Sequence, residues 1–236
     1  MNVKLEAILF DLDGTLLDND ISVFLAHYIP ALADHVAAWV PQAQFIPALT
    51  RASEVMRAND GRDTNQELFA QAFFPALGRT REELEPVFMD FYAREFPKLR
   101  RYTRRKPEAR AAVQAAFDRG CDVVIATNPL FPRTAIEQRL EWAGVAGLPY
   151  RLVTSYENSR AAKPKRLYFQ QILEAIGRPA ELCMMVGDED IDMAAGHLGC
   201  LTFLVPGSRT ELHPDTPVPT YRGTLTDLIA LLTDTE

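Results

Sequence analysis

The chain has 236 residues, of which 47% are hydrophobic and 24% charged. That is the balance of an ordinary globular protein, long enough for one large domain or for a medium core with an insertion. The net charge of −7 and a pI near 5.2 argue against general nucleic-acid binding, while leaving room for a local basic patch, and no apolar stretch approaches membrane-spanning length. The first predicted element is a strand over Leu5 to Phe10, ending in the apolar run Ala7-Ile8-Leu9-Phe10. It leads straight into Asp11-Leu12-Asp13-Gly14-Thr15. Side chains at i and i+2 of a strand share a side, so Asp11 and Asp13 both address one small site. Two adjacent carboxylates repel unless a cation or a shared proton relieves them, which suits a nucleophile beside a general acid with a divalent metal holding the pair. An ordinary Asp-Gly turn is the bland alternative.

The interval from about Asn19 to Lys98 is rich in Ala, Phe and Leu at helical spacing and shows no convincing strand. Asn59-Asp60-Gly61-Arg62 breaks it with turn chemistry. An all-helical insertion is the expected arrangement, because a single crossover of that length is otherwise hard to place; the alternative is that these helices pack onto the core as one domain. The basic run Arg100-Arg101-Tyr102-Thr103-Arg104-Arg105-Lys106 falls where the chain should return, and reads first as a solvated linker face.

From there strand and helix signals alternate. Helices are expected over Pro107 to Arg119, Pro132 to Ala143, Pro164 to Ile176, Asp190 to Leu198 and Thr224 to Leu232. Buried strands are expected over Cys121 to Ala126 and Leu182 to Val186, a short strand over Tyr150 to Thr154 and a last strand over Leu201 to Val205. Such alternation implies an α/β fold, a parallel sheet covered by helices on both faces, with ligands outside the carboxyl ends of its strands.

Three strand ends or helix mouths carry useful chemistry. Thr127-Asn128-Pro129 offers a hydroxyl and free backbone N–H groups to a phosphoryl oxygen. Lys163 sits just before Pro164, where a lysine is unfavourable beside the positive end of a helix, and could neutralise a carboxylate and an incoming phosphoryl group. Lys165 reads as a solvated surface lysine. Val186-Gly187-Asp188-Glu189-Asp190-Ile191-Asp192 places acids just past a buried strand, and oxygen ligands around an open cavity suit Mg²⁺. Helix N-termini favour acids, which accounts for Glu189 and Asp190; Asp188 and Asp192 are the better ligand candidates. Each motif alone has an ordinary structural explanation.

Taken in order, the four motifs resemble the haloacid dehalogenase superfamily in its phosphatase branch: an apolar strand with DxDGT, a strand ending in Thr, a separate Lys, and a strand with GDxxxD. The likeness spans the whole chain, since many members carry a helical cap between the first two motifs. It implies a Rossmann-like core of residues 1–18 and 99–236 with a helical cap at 19–98. It implies that Asp11 attacks phosphorus, Asp13 serves as acid and then base, Thr127 and the Asn128 N–H bind phosphoryl oxygens, and Lys163 steadies the charge. Mg²⁺ would be held by Asp11, the Asp13 carbonyl, Asp188 and Asp192.

The Asp at 13 favours a phosphatase or a phosphomutase over the members that cleave carbon–halogen bonds, which lack an acid there. The expected partner is a small phosphorylated metabolite, with no nucleic acid and no membrane. The turn at Asn59 to Asp63 is the candidate for a cap loop reaching the site, where Arg57 or Arg62 could pair with an anionic substrate; an exposed turn with solvated charges is the first reading of each of these residues. A catalytically silent ligand-binding protein of the same fold is the remaining alternative. Three widely spaced cysteines without CxxC, and no signal-peptide layout before Glu6, lead to the expectation of reduced thiols in a cytoplasmic protein without a zinc site.

Overall fold

The computed structural model describes residues 4–207 and 210–234. The first strand, β1 (Ala7–Phe10), is buried along its whole length. After the turn at 11–16 the chain forms the two-residue β2 (Leu17–Asp18), then four helices: α1 (Ile21–Val36), α2 (Gln42–Ala58), α3 (Asn65–Leu77) and α4 (Arg81–Arg94). A 3-10 segment, Phe96–Tyr102, brings it back to β3 (Arg104–Arg105). β2 and β3 pair antiparallel, Leu17 with Arg105 and Asp18 with Arg104, so the helical segment leaves and returns through one short ribbon. The remainder alternates as α5 (Ala109–Asp118), β4 (Asp122–Ile125), α6 (Arg133–Ala143), β5 (Leu152–Val153), α7 (Arg166–Ile176), β6 (Cys183–Gly187), α8 (Asp190–Met193), β7 (Leu201–Leu204), β8 (Tyr221–Arg222) and α9 (Leu225–Thr233).

Six strands form a parallel sheet in the order β5-β4-β1-β6-β7-β8, the Rossmann-like α/β architecture. β1 lies between β4 and β6, so the order reverses beside it, and a crevice opens at its carboxyl end. The period of two along the strands divides the core cleanly. Ile8, Phe10, Val123, Ile125, Met184 and Val186 face α5, α6 and α9. Ala7, Leu9, Val124, Cys183 and Met185 face Tyr168, Phe169, Ile172 and Ile176 of α7.

Local chemistry explains the ends of the inserted helices. Asp20 caps α1 by accepting from the backbone N–H of Ser22 and Val23. Thr80 and Glu83 form a reciprocal capping box on α4. The helical segment is an insertion by chain path, yet its apolar interior is continuous with one sheet face. Trp142 of α6 stacks on Phe96 at 5.3 Å between centroids and meets Phe24 of α1 at 6.2 Å. Aromatic pairs at these distances add to the gain from burial.

The structure differs from the sequence expectations in detail. The expected helix at 190–198 is one α-helical turn, α8, followed by a 3-10 segment at Ala194–Leu198. α7 begins at Arg166 rather than Pro164, because Lys163 is committed to carboxylates and the backbone turns there, with Lys165 N–H donating to Ala162. The short strands β2, β3 and β8 are additional. All three cysteines are free and buried. Trp142→Ala should lower the unfolding free energy by about 3–5 kcal/mol, the usual cost of removing a large core aromatic. Urea unfolding checks this, and a loss below about 1 kcal/mol would mean that the helical segment is held to the sheet elsewhere.

Candidate active site

The site begins where β1 runs out. Asp11 is buried, and its N–H donates to the Val186 carbonyl at 2.9 Å, which extends the β1–β6 pairing by one residue. The chain then doubles back, with Gly14 N–H donating to Leu17 O and Leu17 N–H to Leu12 O, both at 2.8 Å. Gly14 has φ +87°, and a Cβ there would lie 2.2 Å from Asp188 Oδ2, so both backbone conformation and space require glycine. Thr15 Oγ1 donates to Asp188 Oδ1 at 2.9 Å, and Lys106 Nζ donates to the Gly14 carbonyl.

Lys163 ties the acids together. Its ammonium donates to Asp11 Oδ1 at 2.7 Å and to Asp192 Oδ1 at 2.5 Å, with the lysine side chain fully buried. Burial alone would lower the lysine pKa, but the two carboxylates outweigh it and hold the ammonium above its usual range. Asp192 Oδ2 also accepts from the backbone N–H of Asp188 and Glu189, each at 3.2 Å. Oxygens of Asp11, Asp188 and Asp192 lie within 4.8 Å of one another. Burial raises Asp11 well above the usual carboxylate range, with Asp192 and Asp188 pushing the same way against Lys163. Burial and the Asp192 charge push Asp188 up to about 7. Three crowded carboxylates answered by one ammonium form a hard-oxygen donor set that fits a divalent cation.

Asp13 faces the same space but is held differently. Its Oδ1 accepts from Asn19 Nδ2 at 2.6 Å, and its Oδ2 accepts from Arg139 Nη1. Arg139 projects from α6 and is fully buried, with its guanidinium 4.4 Å from the centre of the Phe131 ring and its Nε donating to Ala135 O. Its Nη2 has no partner among the described residues. Sequence reasoning missed both Arg139 and Asn19. The available signal was an arginine one residue before Leu140 and three after Ile136, on the apolar stripe of a helix, where a charge implies a buried partner.

Thr127 and Asn128, just past β4, line the same cavity as Asp11, Asp13 and Asp192. The Thr127 carbonyl is fixed by Thr154 Oγ1 at 2.7 Å and Tyr168 OH at 2.9 Å. Among the described residues nothing accepts from the backbone N–H of Leu12, Asp13 or Asn128, three donors on the segments that carry the site. The turn at Asn59 packs on the core next to the cavity rather than lining it. Asn59 bonds Asn65, whose Nδ2 donates to Pro129 O and Ala161 O. Lys165, expected to be solvated, instead donates to Asn59 O at 2.7 Å. Arg57 and Gln66, flanking the turn, do line the cavity. The basic run is more than a solvated face: Arg104 and Arg105 form β3, Tyr102 stacks on His27 at 3.6 Å, and Lys106 reaches Gly14.

A family model described as haloacid dehalogenase-like hydrolase matches residues 5–198. The chain belongs to that family. Among curated relatives, a phosphoglycolate phosphatase of Neisseria gonorrhoeae is 26% identical over 219 residues, covering 86% of this chain and 81% of that protein. Solved haloacid dehalogenase-like structures share the fold. The HAD phosphatase of Thermococcus onnurineus aligns with a TM-score of 0.59 at 18% identity, over 97% of this chain and 98% of its own. The L-2-haloacid dehalogenase of Xanthobacter autotrophicus gives 0.59 at 15%, over 98% and 100%. This chain is a hydrolase of that family, and its buried acidic triad is a place where a metal ion could sit.

Two outcomes test this geometry. A Cβ on Gly187 would lie 2.2 Å from the Asp192 carboxylate carbon and 2.3 Å from its Cβ. Gly187→Ala should therefore displace Asp192 and weaken divalent-cation binding about 10- to 100-fold, the range seen when a metal ligand loses its support, as read by titration calorimetry. Arg139→Met should lower stability by about 3 kcal/mol, because it strands a largely buried carboxylate. Denaturant unfolding measures it, and no change would mean that Asn19 alone satisfies Asp13.

Proposed function

We propose that the chain is a Mg²⁺-dependent phosphatase that hydrolyses a small phosphomonoester through an aspartyl-phosphate on Asp11. The observation that carries this reading is the shared ammonium: Lys163 grips one oxygen of Asp11 and one of Asp192, and leaves the other oxygen of Asp11, a residue that lines the cavity, to serve as the nucleophile. Asp11 attacks phosphorus and the bridging P–O bond breaks. Asp13 gives its proton to the departing alkoxide, then takes one from the water that cleaves the acyl phosphate, releasing inorganic phosphate and restoring Asp11. Each Asp13 oxygen has a second lone pair, so it can carry that proton without losing Arg139 or Asn19. Thr127 and the open N–H of Asn128 receive the phosphoryl oxygens. Asp11, Asp188 and Asp192, with the Asp13 carbonyl, would hold Mg²⁺, which when bound supplies Lewis-acid neutralisation of phosphoryl charge.

Residues 19–98 serve as the cap in this reading, closing the chamber above the acids. The phosphatase name of the Neisseria relative supports a small phosphorylated metabolite as substrate. The acid at Asp13 favours P–O over carbon–halogen cleavage, since a departing halide needs no proton. A phosphomutase would use the same acids and is separated by whether phosphate is released. Among the described residues no helix is long and apolar enough to cross a membrane. A cytoplasmic location accords with the three free thiols.

The test is phosphate release from p-nitrophenyl phosphate. Activity should require Mg²⁺, vanish with EDTA, return on adding Mg²⁺, and fall by about three orders of magnitude or more in Asp11→Asn, as when a nucleophile is removed elsewhere. Turnover untouched by that substitution would overturn the nucleophile assignment.

A further inference from the structure

We infer that the ester cleaved at this site carries an apolar leaving group, an alkyl or aryl alcohol of several carbons rather than a short hydroxy acid or a sugar. The inference rests on the phosphatase reading and names its substrate class. The acids, Thr127 and Asn128 form the floor of a cavity of about 720 Å³ that rises between α1, α2, α3 and α4. A phosphoryl group occupies only that floor, so the rest of the substrate must stand in the chamber above. Pockets of ~300–1,000 Å³ take drug-sized molecules, and a two-carbon acid would leave most of this one unfilled.

The chamber wall decides what kind of group that is. Leu25, Leu49, Phe69, Phe73 and Phe88 supply apolar surface. Four of the lining hydroxyls are bonded within the protein, while Thr127, Thr134 and Tyr156 also line the cavity. Tyr28 and Tyr92 bond each other at 2.8 Å, Ser53 donates to Leu49 O at 2.9 Å, and Thr50 to Ile46 O at 3.0 Å. Two of the lining arginines are held in ion pairs, Arg81 with Glu85 at 3.3 Å and Arg133 with Glu137 at 2.7 Å. A carboxylate or a set of sugar hydroxyls entering this space would leave water and find few partners, whereas an apolar chain gains from the same transfer. Arg57 is exposed at the edge, and it is the feature that argues for an anionic tail. Phosphoglycolate is therefore the control.

The experiment measures kcat/KM of the Mg²⁺-loaded enzyme for ethyl, butyl, hexyl and octyl phosphate, phenyl phosphate and phosphoglycolate. The expected result is a rise of about fourfold per added methylene, with phosphoglycolate no better than ethyl phosphate. A flat or falling series, or preference for phosphoglycolate, overturns the inference while leaving the phosphatase reading intact. Binding of ethyl- and octylphosphonate, measured by calorimetry, reads the chamber without turnover. If no ester releases phosphate yet octylphosphonate binds far more tightly, the phosphatase reading fails and the apolar assignment stands. Ala70→Trp, which fills the chamber from α3, should cut the octyl-to-ethyl ratio at least about tenfold. Leu49→Gln, which keeps volume but makes the wall polar, should do the same if the tryptophan variant does not fold. An unchanged ratio in a folded variant places the chain elsewhere and overturns the inference.

Discussion

The buried ammonium of Lys163 is the interaction on which the rest of the site depends. It joins Asp11 at the end of β1 to Asp192 in α8, residues that lie far apart in the chain on either side of it. Taking three such charges out of water costs several kcal/mol for each, and only their mutual pairing makes the burial tolerable. Losing any partner leaves an uncompensated charge in the interior. The pairing is also incomplete by count, because one lysine faces Asp11, Asp188 and Asp192. Burial and the crowding of the three acids around one cation raise the pKa of Asp11 and Asp188, and a divalent cation would relieve that repulsion. The same crowding of acids is what would draw a metal and then a phosphoryl group toward the site.

The sheet explains why these residues meet at all. With β1 between β4 and β6, the segments that follow the three strands diverge, and Asp11, Thr127 and Asp188 arrive at one crevice from three directions. Glycine permits the closeness. At Gly14 and Gly187 the backbone passes within van der Waals reach of the Asp188 and Asp192 carboxylates, and any side chain would occupy the space those groups use. The polar floor and the apolar chamber have separate origins, strand ends for the first and the inserted helices for the second.

Legibility in the sequence followed the range of the forces involved. Apolar runs that end in acids, Thr127 or Gly187 mark strands and their functional ends locally, so the core sheet and its four motifs could be read in chain order. Lys163 was noticed because a cation before a helix is locally unfavourable; that the helix starts three residues later changes the argument but not the residue. The clamp of Arg139 and Asn19 on Asp13 was not legible, since it depends on a contact 126 residues away in sequence. The individual inserted helices were obscure for another reason. Pro30, Pro47, Pro75 and Pro86 each sit inside one of them, and local preference would break the helix where tertiary packing sustains it. Strands of two residues, such as β2, β3 and β8, have no periodicity to read.

The ribbon of β2 and β3 carries a consequence for how this fold can vary. Paired strands lie about 5 Å apart, so the insertion begins and ends at nearly the same point, and its length imposes no strain on the sheet below. A helical segment of different size or lining could be grafted there and meet an unaltered set of acids. The graft would have to supply two things: an asparagine or equivalent donor at position 19 for Asp13, and aromatic cover for Trp142 and Phe131. Exchange of the upper half would then change which molecules are accepted and leave the bond-breaking apparatus as it is.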